Sequence, residues 1–390
     1  TGSGSISIQN EGMLTVDSVS AASGAIRLSS SQGGMRVTRE VAALAGLVSL
    51  NARGGGGLTI DPGAAVRAST DILFIADQLF LAGSASNAGR VIVRSDSLGR
   101  DMRLGSVSDA TALGLRTTDL ATITAGTVRL GDFNVRPPVL TVTIPIDGRG
   151  PTGNLGELLV MSDEIRLNSA GGITTTGGQS YDGAVVLGAS QTLRSTAGGV
   201  AFGRAVNGQV DLVVDAPGGL LQLLGAVGGV TPLSSLMATT GTLTAGSRIS
   251  TRGAINLTTT AQGAHIVLGR LVAPGASVTL TAVAGLVLNE NAPLNPIDPT
   301  SVPANVAASS LSVTAGGSTA DFQPAIDLYT AIDRLTLANA SGSGSILIRN
   351  ERALTVDRVT AAAGNVSLIA NRVSPDVTGD LRVTREVSTL

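Results

Sequence analysis

Residues 2–28 read GSGSISIQNEGMLTVDSVSAASGAIRL, and residues 342–368 read GSGSILIRNERALTVDRVTAAAGNVSL. The hexapeptide RVTREV follows both copies, after an insertion in the second copy. A near-copy at such a distance is typical of tandem repeats. We therefore predict that residues 1–340 form one long repeat and that residues 341–390 begin the next one. On this interpretation the chain is a piece of a longer array.

Short stretches of the form Gly-x-β-x-β, where β is Ile, Val or Leu, recur throughout the chain. They include Gly4–Ile8, Gly24–Leu28, Gly89–Val93, Gly126–Leu130, Gly208–Leu212, Gly253–Leu257, Gly344–Ile348 and Gly364–Leu368. Alternation of apolar and polar residues predicts strands with one buried face, and the glycine predicts a corner before each strand. Where the register is clearest, as from Ile6 to Ile26, equivalent positions lie about 20 residues apart.

The composition favours a thin, repetitive structure. Aromatic residues make up only 2% of the chain, whereas 43% of residues are apolar and Gly accounts for 51 residues. Medium-sized side chains fill the narrow core of a solenoid more readily than a large globular core. We predict an all-β fold, a parallel β-helix solenoid with a few projecting loops or a short helix. Coils of about 20 residues stacked about 4.8 Å apart would give a rod section of about 70 to 80 Å per long repeat.

The differences between the two copies predict which side chains face solvent. Ser7 is replaced by Leu347 and Gln9 by Arg349, whereas Ile6 and Ile8 are matched by identical residues. The changes fall between the retained apolar positions, as expected when alternate residues of a strand point outward.

Two proline-rich stretches interrupt the coil pattern. Residues 134–158 contain Pro137, Pro138, Pro145 and Pro151, and residues 289–304 read NENAPLNPIDPTSVPA. Because proline cannot donate a hydrogen bond to a strand ladder, we predict that both stretches project from the solenoid as loops or hairpins.

A third stretch, residues 320–335, has a different pattern. Its apolar residues are spaced by three or four positions, which predicts a short amphipathic helix lying on the solenoid. These residues are Phe322, Ile326, Tyr329 and Ile332.

The inventory of reactive side chains is small. The chain has no Lys, no Cys and a single histidine, His265, for which we predict a structural role at an outward or corner position. These absences exclude a Walker lysine, a Schiff base, a thiolate nucleophile, disulfides and histidine-pair zinc motifs within this sequence.

The acidic residues are scattered rather than clustered. They include Asp61, Asp71, Asp77, Asp96, Asp101, Asp109, Asp119 and Asp132. The stretch GGGGLTID at residues 54–61 occurs once, so it is no calcium-binding nonapeptide array. The adjacent pairs Arg39-Glu40 and Arg385-Glu386 recur in both copies and are interpreted as a solvated face or charge ladder.

Large rings that could stack on a sugar are few, and we interpret Phe74 and Phe80 as core. We therefore predict no catalytic, cofactor-binding or metal-binding residue, and no enzymatic activity.

The charge pattern also limits the range of partners. A formal net charge of -2 gives no electrostatic basis for nucleic-acid binding, and no apolar run is long enough to span a bilayer. We expect neither nucleic-acid binding nor membrane insertion by this segment.

Runs such as ASGAIRLS at residues 22–29 and STRGAINLT at residues 250–258 resemble the degenerate coils of filamentous haemagglutinin-like exoproteins of Gram-negative bacteria. The resemblance covers most of the chain outside the proline-rich stretches. It implies a right-handed β-helix, export by a two-partner or autotransporter route, and an extracellular, surface-exposed adhesin.

Three functions remain open at this point. The first is a structural shaft that gives reach and stiffness to an adhesin or surface fibre, with adjacent repeats as its partners. In the second, the projecting loops bind a receptor or a neighbouring fibre. The third is a β-helical glycan-degrading enzyme, which would act on an acidic polysaccharide.

Overall fold

The computed structural model shows an all-β parallel β-solenoid of about 15 turns, with 67% of residues in strands. The chain divides into two compact units, Thr1–Gly198 and Gly199–Leu390, which are described in turn. The structure describes residues 4–148, 154–290, 304–318, 324–370 and 381–389.

The described residues of the first unit form seventeen strands and one short helix, α1, at Thr117–Ala121. The strands are β1 (Ile6–Asn10), β2 (Leu14–Ala21), β3 (Ile26–Ser30), β4 (Met35–Ala43), β5 (Val48–Ile60), β6 (Ala65–Ala68), β7 (Asp71–Leu81), β8 (Ser84–Arg94), β9 (Asp101–Leu104), β10 (Ala112–Leu115), β11 (Ile123–Leu130), β12 (Val139–Val142), β13 (Ile146–Asp147), β14 (Asn154–Leu167), β15 (Ile173–Thr175), β16 (Gln179–Leu187) and β17 (Gln191–Ser195).

Parallel stacking of successive coils builds the first unit. Ile6 pairs with Ile26, Ile26 with Val48, Val48 with Ile72 and Ile72 with Val91, each in parallel register. Within this column, the four residues from Ile26 onward are fully buried. The pairing of Ile6 with Ile26 confirms a coil length of about 20 residues for the first coil, whereas Ile26 and Val48, and then Val48 and Ile72, lie further apart in the sequence.

In the second unit, the part of the chain that the structure describes forms fourteen strands. They are β18 (Val200–Phe202), β19 (Val206–Asn207), β20 (Asp211–Leu223), β21 (Ser235–Ser250), β22 (Ile255–Thr259), β23 (Ile266–Ala282), β24 (Val287–Asn289), β25 (Val306–Ala315), β26 (Pro324–Ala331), β27 (Arg334–Ser343), β28 (Ser345–Asn350), β29 (Leu354–Ala363), β30 (Val366–Ile369) and β31 (Leu381–Thr389).

The second unit repeats the same arrangement. Ile326 pairs with Ile346, and Ile346 pairs with Val366, in parallel register. On the adjoining side of the coil, Leu335 pairs with Val356. Ile326, Ile346, Leu335 and Val356 are all fully buried, so aliphatic side chains of medium size fill the core, as the composition predicts.

The predicted strand facing is confirmed in the second copy of the repeated segment. Ile346 and Ile348 are fully buried in β28, whereas Leu347 and Arg349 between them are partly exposed. Alternate side chains of a strand therefore fill the core and face solvent, respectively.

The prediction that residues 134–158 project as a loop is wrong for much of that stretch. Leu140 of β12 pairs in parallel with Met102 of β9 and Ile165 of β14, and it is fully buried. Pro137 and Pro138 precede β12 and contribute only acceptors: the Pro137 carbonyl accepts from the Ser162 hydroxyl at 2.8 Å. Prolines at the start of a strand do not interrupt its ladder. Residues 149–153, which include Pro151, lie outside the described residues.

The prediction of a helix at residues 320–335 is also wrong, because β26 and the start of β27 occupy the described part of this stretch. Ile326 and Tyr329 are both buried, although they face opposite sides of β26. Tyr329 is covered on the outer side by the guanidinium of Arg349, 4.7 Å from the ring centroid. Burial of both strand faces therefore produced the spacing that imitates a helix. Phe322 and most of residues 289–304 lie outside the described residues.

A buried polar network inside the first unit includes Tyr181. The Tyr181 hydroxyl donates to Gln179 Oε1 at 2.8 Å, and Gln179 Nε2 donates to the carbonyl oxygens of Ile173 (3.1 Å) and Arg194 (2.8 Å). Burial raises the pKa of the Tyr181 phenol well above its ordinary value.

This burial predicts a loss of stability at alkaline pH. Above about pH 10 the phenol ionises in the unfolded chain but stays protonated in the folded one, so the free energy of unfolding falls as pH rises. Between pH 9 and pH 11, we expect the free energy of unfolding measured in urea to fall by about 1.4 kcal/mol more for the wild type than for Tyr181→Phe. Equal losses in the two proteins would contradict the burial of this hydroxyl.

Candidate interaction surface

His265 lies at an exposed corner of the second unit, as predicted. Its Nδ1 accepts a hydrogen bond from the backbone N–H of Leu286 on the next coil, at 3.0 Å. This contact gives His265 a structural role in holding two coils together.

Several of the scattered acidic residues bind arginines of neighbouring coils. Asp61 accepts from Arg36 at 2.9 Å, and Asp71 accepts from Arg90 at 3.1 Å. No group of three or more metal-ligating side chains occurs within the described part of the chain. These carboxylates therefore act as links between coils.

The interpretation of Arg39-Glu40 as a solvated charge ladder is confirmed. Arg39 lies 3.5 Å from Asp17 on the preceding coil, and Glu40 lies 3.7 Å from Arg67 on the following coil. All four side chains are well exposed, so each pair contributes at most about 1 kcal/mol.

Of the two phenylalanines interpreted as core, only Phe74 is buried. Phe80 is 38% exposed, because Leu79 and Leu81 on either side of it point inward.

A polar groove of about 680 Å³ runs along the outer face of the first unit. One register level of β1, β3, β5, β7 and β8 contributes five aligned residues, since each pairs with the next: Gln9, Ser29, Asn51, Ile75 and Arg94. Ser7, Arg27 and Ser49 form the neighbouring level. With strands about 4.8 Å apart, five aligned positions extend over about 19 Å.

Three arginines give the groove its charge. Arg27 is exposed on β3, Arg53 follows Asn51 on β5, and Arg94 ends β8. With the Asn51 amide assigned so that its oxygen faces Arg53, this oxygen accepts from Arg53 Nε at 2.8 Å. Arg94 Nη1 donates to the Ser95 carbonyl at 2.8 Å. A guanidinium carries five N–H donors, so these bonds position Arg53 and Arg94 without using all of their donors.

Glu11 is the one acidic side chain among the described residues that line the groove. Three arginines against one glutamate leave an excess of positive charge. The arrangement suits an extended anion, which guanidinium groups bind by charge-assisted hydrogen bonds.

The stretch GGGGLTID forms part of the structure beside the groove. Gly54 and Gly55 adopt positive φ angles of 67° and 77°, where the register of β5 against β7 shifts between Ala52 and Gly57. Glycine reaches this region of backbone space without strain. The Gly54 N–H donates to Asp96 at 3.4 Å, so the glycine segment is tied to the turn that follows Arg94.

None of the described helices is long and apolar enough to cross a bilayer.

Comparison with known proteins gives no family. No family model, curated protein or solved structure matches the chain.

Sequence reasoning did not identify the groove. Arg27 occupies the polar middle of an apolar triplet, which marks it as outward, but the alignment of Arg94 with Ile75 depends on unequal coil lengths. A register assignment for the first five coils would have brought the three arginines together.

Proposed function

We propose that this chain is a segment of the structural shaft of a large repetitive extracellular adhesin or surface fibre. One observation carries the proposal: the two copies of the repeated segment are stacked in the same way. Ile6 pairs with Ile26 as Ile346 pairs with Val366, and Leu14 pairs with Met35 as Leu354 pairs with Leu381. A segment whose copies stack alike extends a solenoid by repetition.

A hydrogen bond between coils is repeated along with the strand register. Thr38 Oγ1 donates to the carbonyl of Val16 at 3.2 Å in the first copy, and Thr384 Oγ1 donates to the carbonyl of Val356 at 3.0 Å in the second. Interior strands bonded on both edges resist bending and separation, which is the property that a shaft needs.

The extracellular location is part of the proposal. It is supported by the likeness of the coils to those of filamentous haemagglutinin-like exoproteins. Antibodies against the purified chain, applied to intact cells that encode it, test the location. We expect labelling at a distance from the cell envelope, whereas labelling only after lysis would contradict it.

The groove favours a second candidate function, a binding module for an extended anion. If it binds, Arg27→Glu combined with Arg53→Glu should weaken the binding of fluorescent polygalacturonate or dextran sulfate about tenfold, since each exposed ionic contact is worth about 0.5 to 1 kcal/mol. Fluorescence anisotropy at low salt measures this change.

The matched control for that experiment is a second pair of exposed arginines on adjacent coils, Arg248 and Arg270. Arg248→Glu with Arg270→Glu changes the net charge by the same amount and should leave binding within about twofold. Equal losses in the two double variants would mean that net charge, and not the groove, attracts the polyanion.

A further inference from the structure

The first coil of the chain, β1 and β2, is nearly identical in sequence to the coil formed by β28 and β29. In the second unit, β26 pairs with β28 and β27 pairs with β29, so the later coil has a neighbour on both edges. Among the described residues, β1 has a neighbour on one edge only, through its pairing with β3. The later coil therefore shows how the open edge of the earlier one is completed.

An apolar side chain is left uncovered at the open edge. Ile8 is 38% exposed, whereas the equivalent Ile348 is fully buried and pairs with Leu328 of β26. A neighbour like β26 would remove Ile8 from water as Leu328 does for Ile348.

Asn10 offers an unused hydrogen-bond acceptor at the same edge. The equivalent Asn350 accepts at Oδ1 from the Thr330 hydroxyl and the Ile332 N–H, both at 2.9 Å, and donates to the Ile332 carbonyl at 2.9 Å. Asn10 donates to the carbonyls of Gly12 and Met13, and its Oδ1 receives no hydrogen bond from any described residue.

Asp17 offers a carboxylate in the same way. The equivalent Asp357 accepts from Thr384 of the following coil at 2.8 Å and from Arg334 of the preceding coil at 2.8 and 2.9 Å. Asp17 accepts from Thr38 of the following coil at 3.2 Å and lies 3.5 Å from Arg39 of the same coil, but no described arginine contacts it from the open side. Its side chain is 67% exposed, against 13% for Asp357. A preceding coil with an arginine at the Arg334 position would complete it.

We propose that the open edge of β1 and β2 is a docking surface for a coil of the 324–343 type supplied by a second copy of this repeat. Asn10 and Asp17 fix the register of that coil. Asn10 binds the backbone after the Thr330 position, and Asp17 binds the arginine at the Arg334 position. The partner is identified by its fit, because the same coil already covers the near-identical coil within this chain.

Two contacts of the later coil have no counterpart at the open edge. Arg349 and Arg352 pair with Asp327 and Asp333 of the preceding coil, whereas the first copy has Gln9 and Gly12 at these positions. The recognition at the open edge therefore rests on the apolar column, Asn10 and Asp17.

The test uses a tandem chain in which residues 1–340 precede the full 390-residue chain, so that β27 of the first module leads into β1 of the second. The chain has no cysteine, so an introduced pair reports a single contact. Asp327→Cys in the first module and Ser7→Cys in the second occupy the positions paired as Asp327 and Leu347. In-register neighbours lie about 4.8 Å apart, within reach of a disulfide.

Oxidation should form this disulfide at least tenfold faster than in a control with Gln9→Cys in place of Ser7→Cys. The control cysteines lie about 8 Å apart at the proposed register, beyond disulfide reach. Equal rates, or a faster control, would overturn the proposal.

Arg334→Glu tests the role of Asp17 with a control of identical composition. Placed in the first module, it faces Asp17 and should slow the disulfide about tenfold. Placed in the second module, it faces Asp357 and should leave the rate unchanged. Equal rates in the two chains would exclude Asp17 as the partner of this arginine.

A chimaeric chain tests the same docking contact if the tandem chain fails to fold. In the 390-residue chain, residues 345–363 are replaced by residues 5–23, and the cysteines are placed at positions 327 and 347. We expect a disulfide here as well, and its absence from a folded chain would overturn the proposal. The inference depends on the proposed shaft function in one respect, namely that the docking coil comes from a second copy of the repeat. Absence of extracellular labelling together with an intact disulfide would refute the location and leave the docking surface standing.

Discussion

Replacing Gly285 by alanine should lower the free energy of unfolding of the second unit by about 3 kcal/mol. A Cβ at this position would overlap the carbonyl oxygen of Ala264 on the preceding coil and lie 3.0 Å from the backbone nitrogen of His265. These are backbone atoms held by hydrogen bonds between coils, including Gly263 N–H to the Ala284 carbonyl at 3.0 Å. The clash cannot be relieved by a rotamer change, so the two coils must separate.

Gly218→Ala is the matched control, because Gly218 lies in the same unit and a Cβ there would meet no atom within 4 Å. We expect this variant to stay within about 0.5 kcal/mol of the wild type. Urea unfolding followed by circular dichroism compares the two. A Gly285→Ala variant as stable as Gly218→Ala would show that the coils are not in close contact at this corner.

Asn350→Ala should lower the free energy of unfolding by about 3 kcal/mol, which is the second of the two largest expected effects. Asn350 is fully buried, and its amide bonds Thr330, both backbone groups of Ile332 and the carbonyl of Arg352. Alanine leaves these groups without their partner inside the core, and each unsatisfied buried group costs about 1 to 3 kcal/mol. Hydrogen exchange at the Ile332 amide should accelerate together with the loss of stability.

The equivalent residue of the first copy provides the control. Asn10→Ala removes two hydrogen bonds at a partly exposed position, so we expect a loss of about 1 kcal/mol or less. Equal costs at the two positions would contradict the difference in burial between the first coil and its later copy.

The repeat length of the coils could be predicted from the sequence where apolar residues recur at equivalent positions of successive coils. Ile6 and Ile26 occupy matching places in the pattern and pair in the structure. The coil length varies more than the clearest segment indicates, since Ile26 pairs with Val48 and Val48 with Ile72. Longer coils mean fewer of them per repeat.

The errors came from residues whose environment depends on other coils. Pro137 and Pro138 would interrupt a strand only if a backbone N–H donor were required at their positions. Both lie before β12, where the strand ladder does not require that donor. Tyr329 suggested a helical stripe because Arg349, on the next coil, buries the outer side of its strand. Such contacts depend on which residues of neighbouring coils are aligned, and the apolar pattern of a single segment does not specify this alignment.

The groove was missed for the same reason. Arg27, Arg53 and Arg94 are far apart in the sequence, and each alone is an ordinary exposed residue. Only the stacking of β1, β3, β5, β7 and β8 brings them to one face. Handedness and the division into long repeats stay predictions.

The shaft function is tested most directly by electron microscopy. The chains to compare carry one, two or three copies of residues 1–340, followed in each case by residues 341–390. About 15 turns in 390 residues correspond to about 13 turns per repeat, and hence to about 60 Å at about 4.8 Å per turn. The shaft predicts particles of constant width that lengthen by about 60 Å with each added copy. Particles that grow in width, or that form separate beads joined by flexible segments, would contradict it.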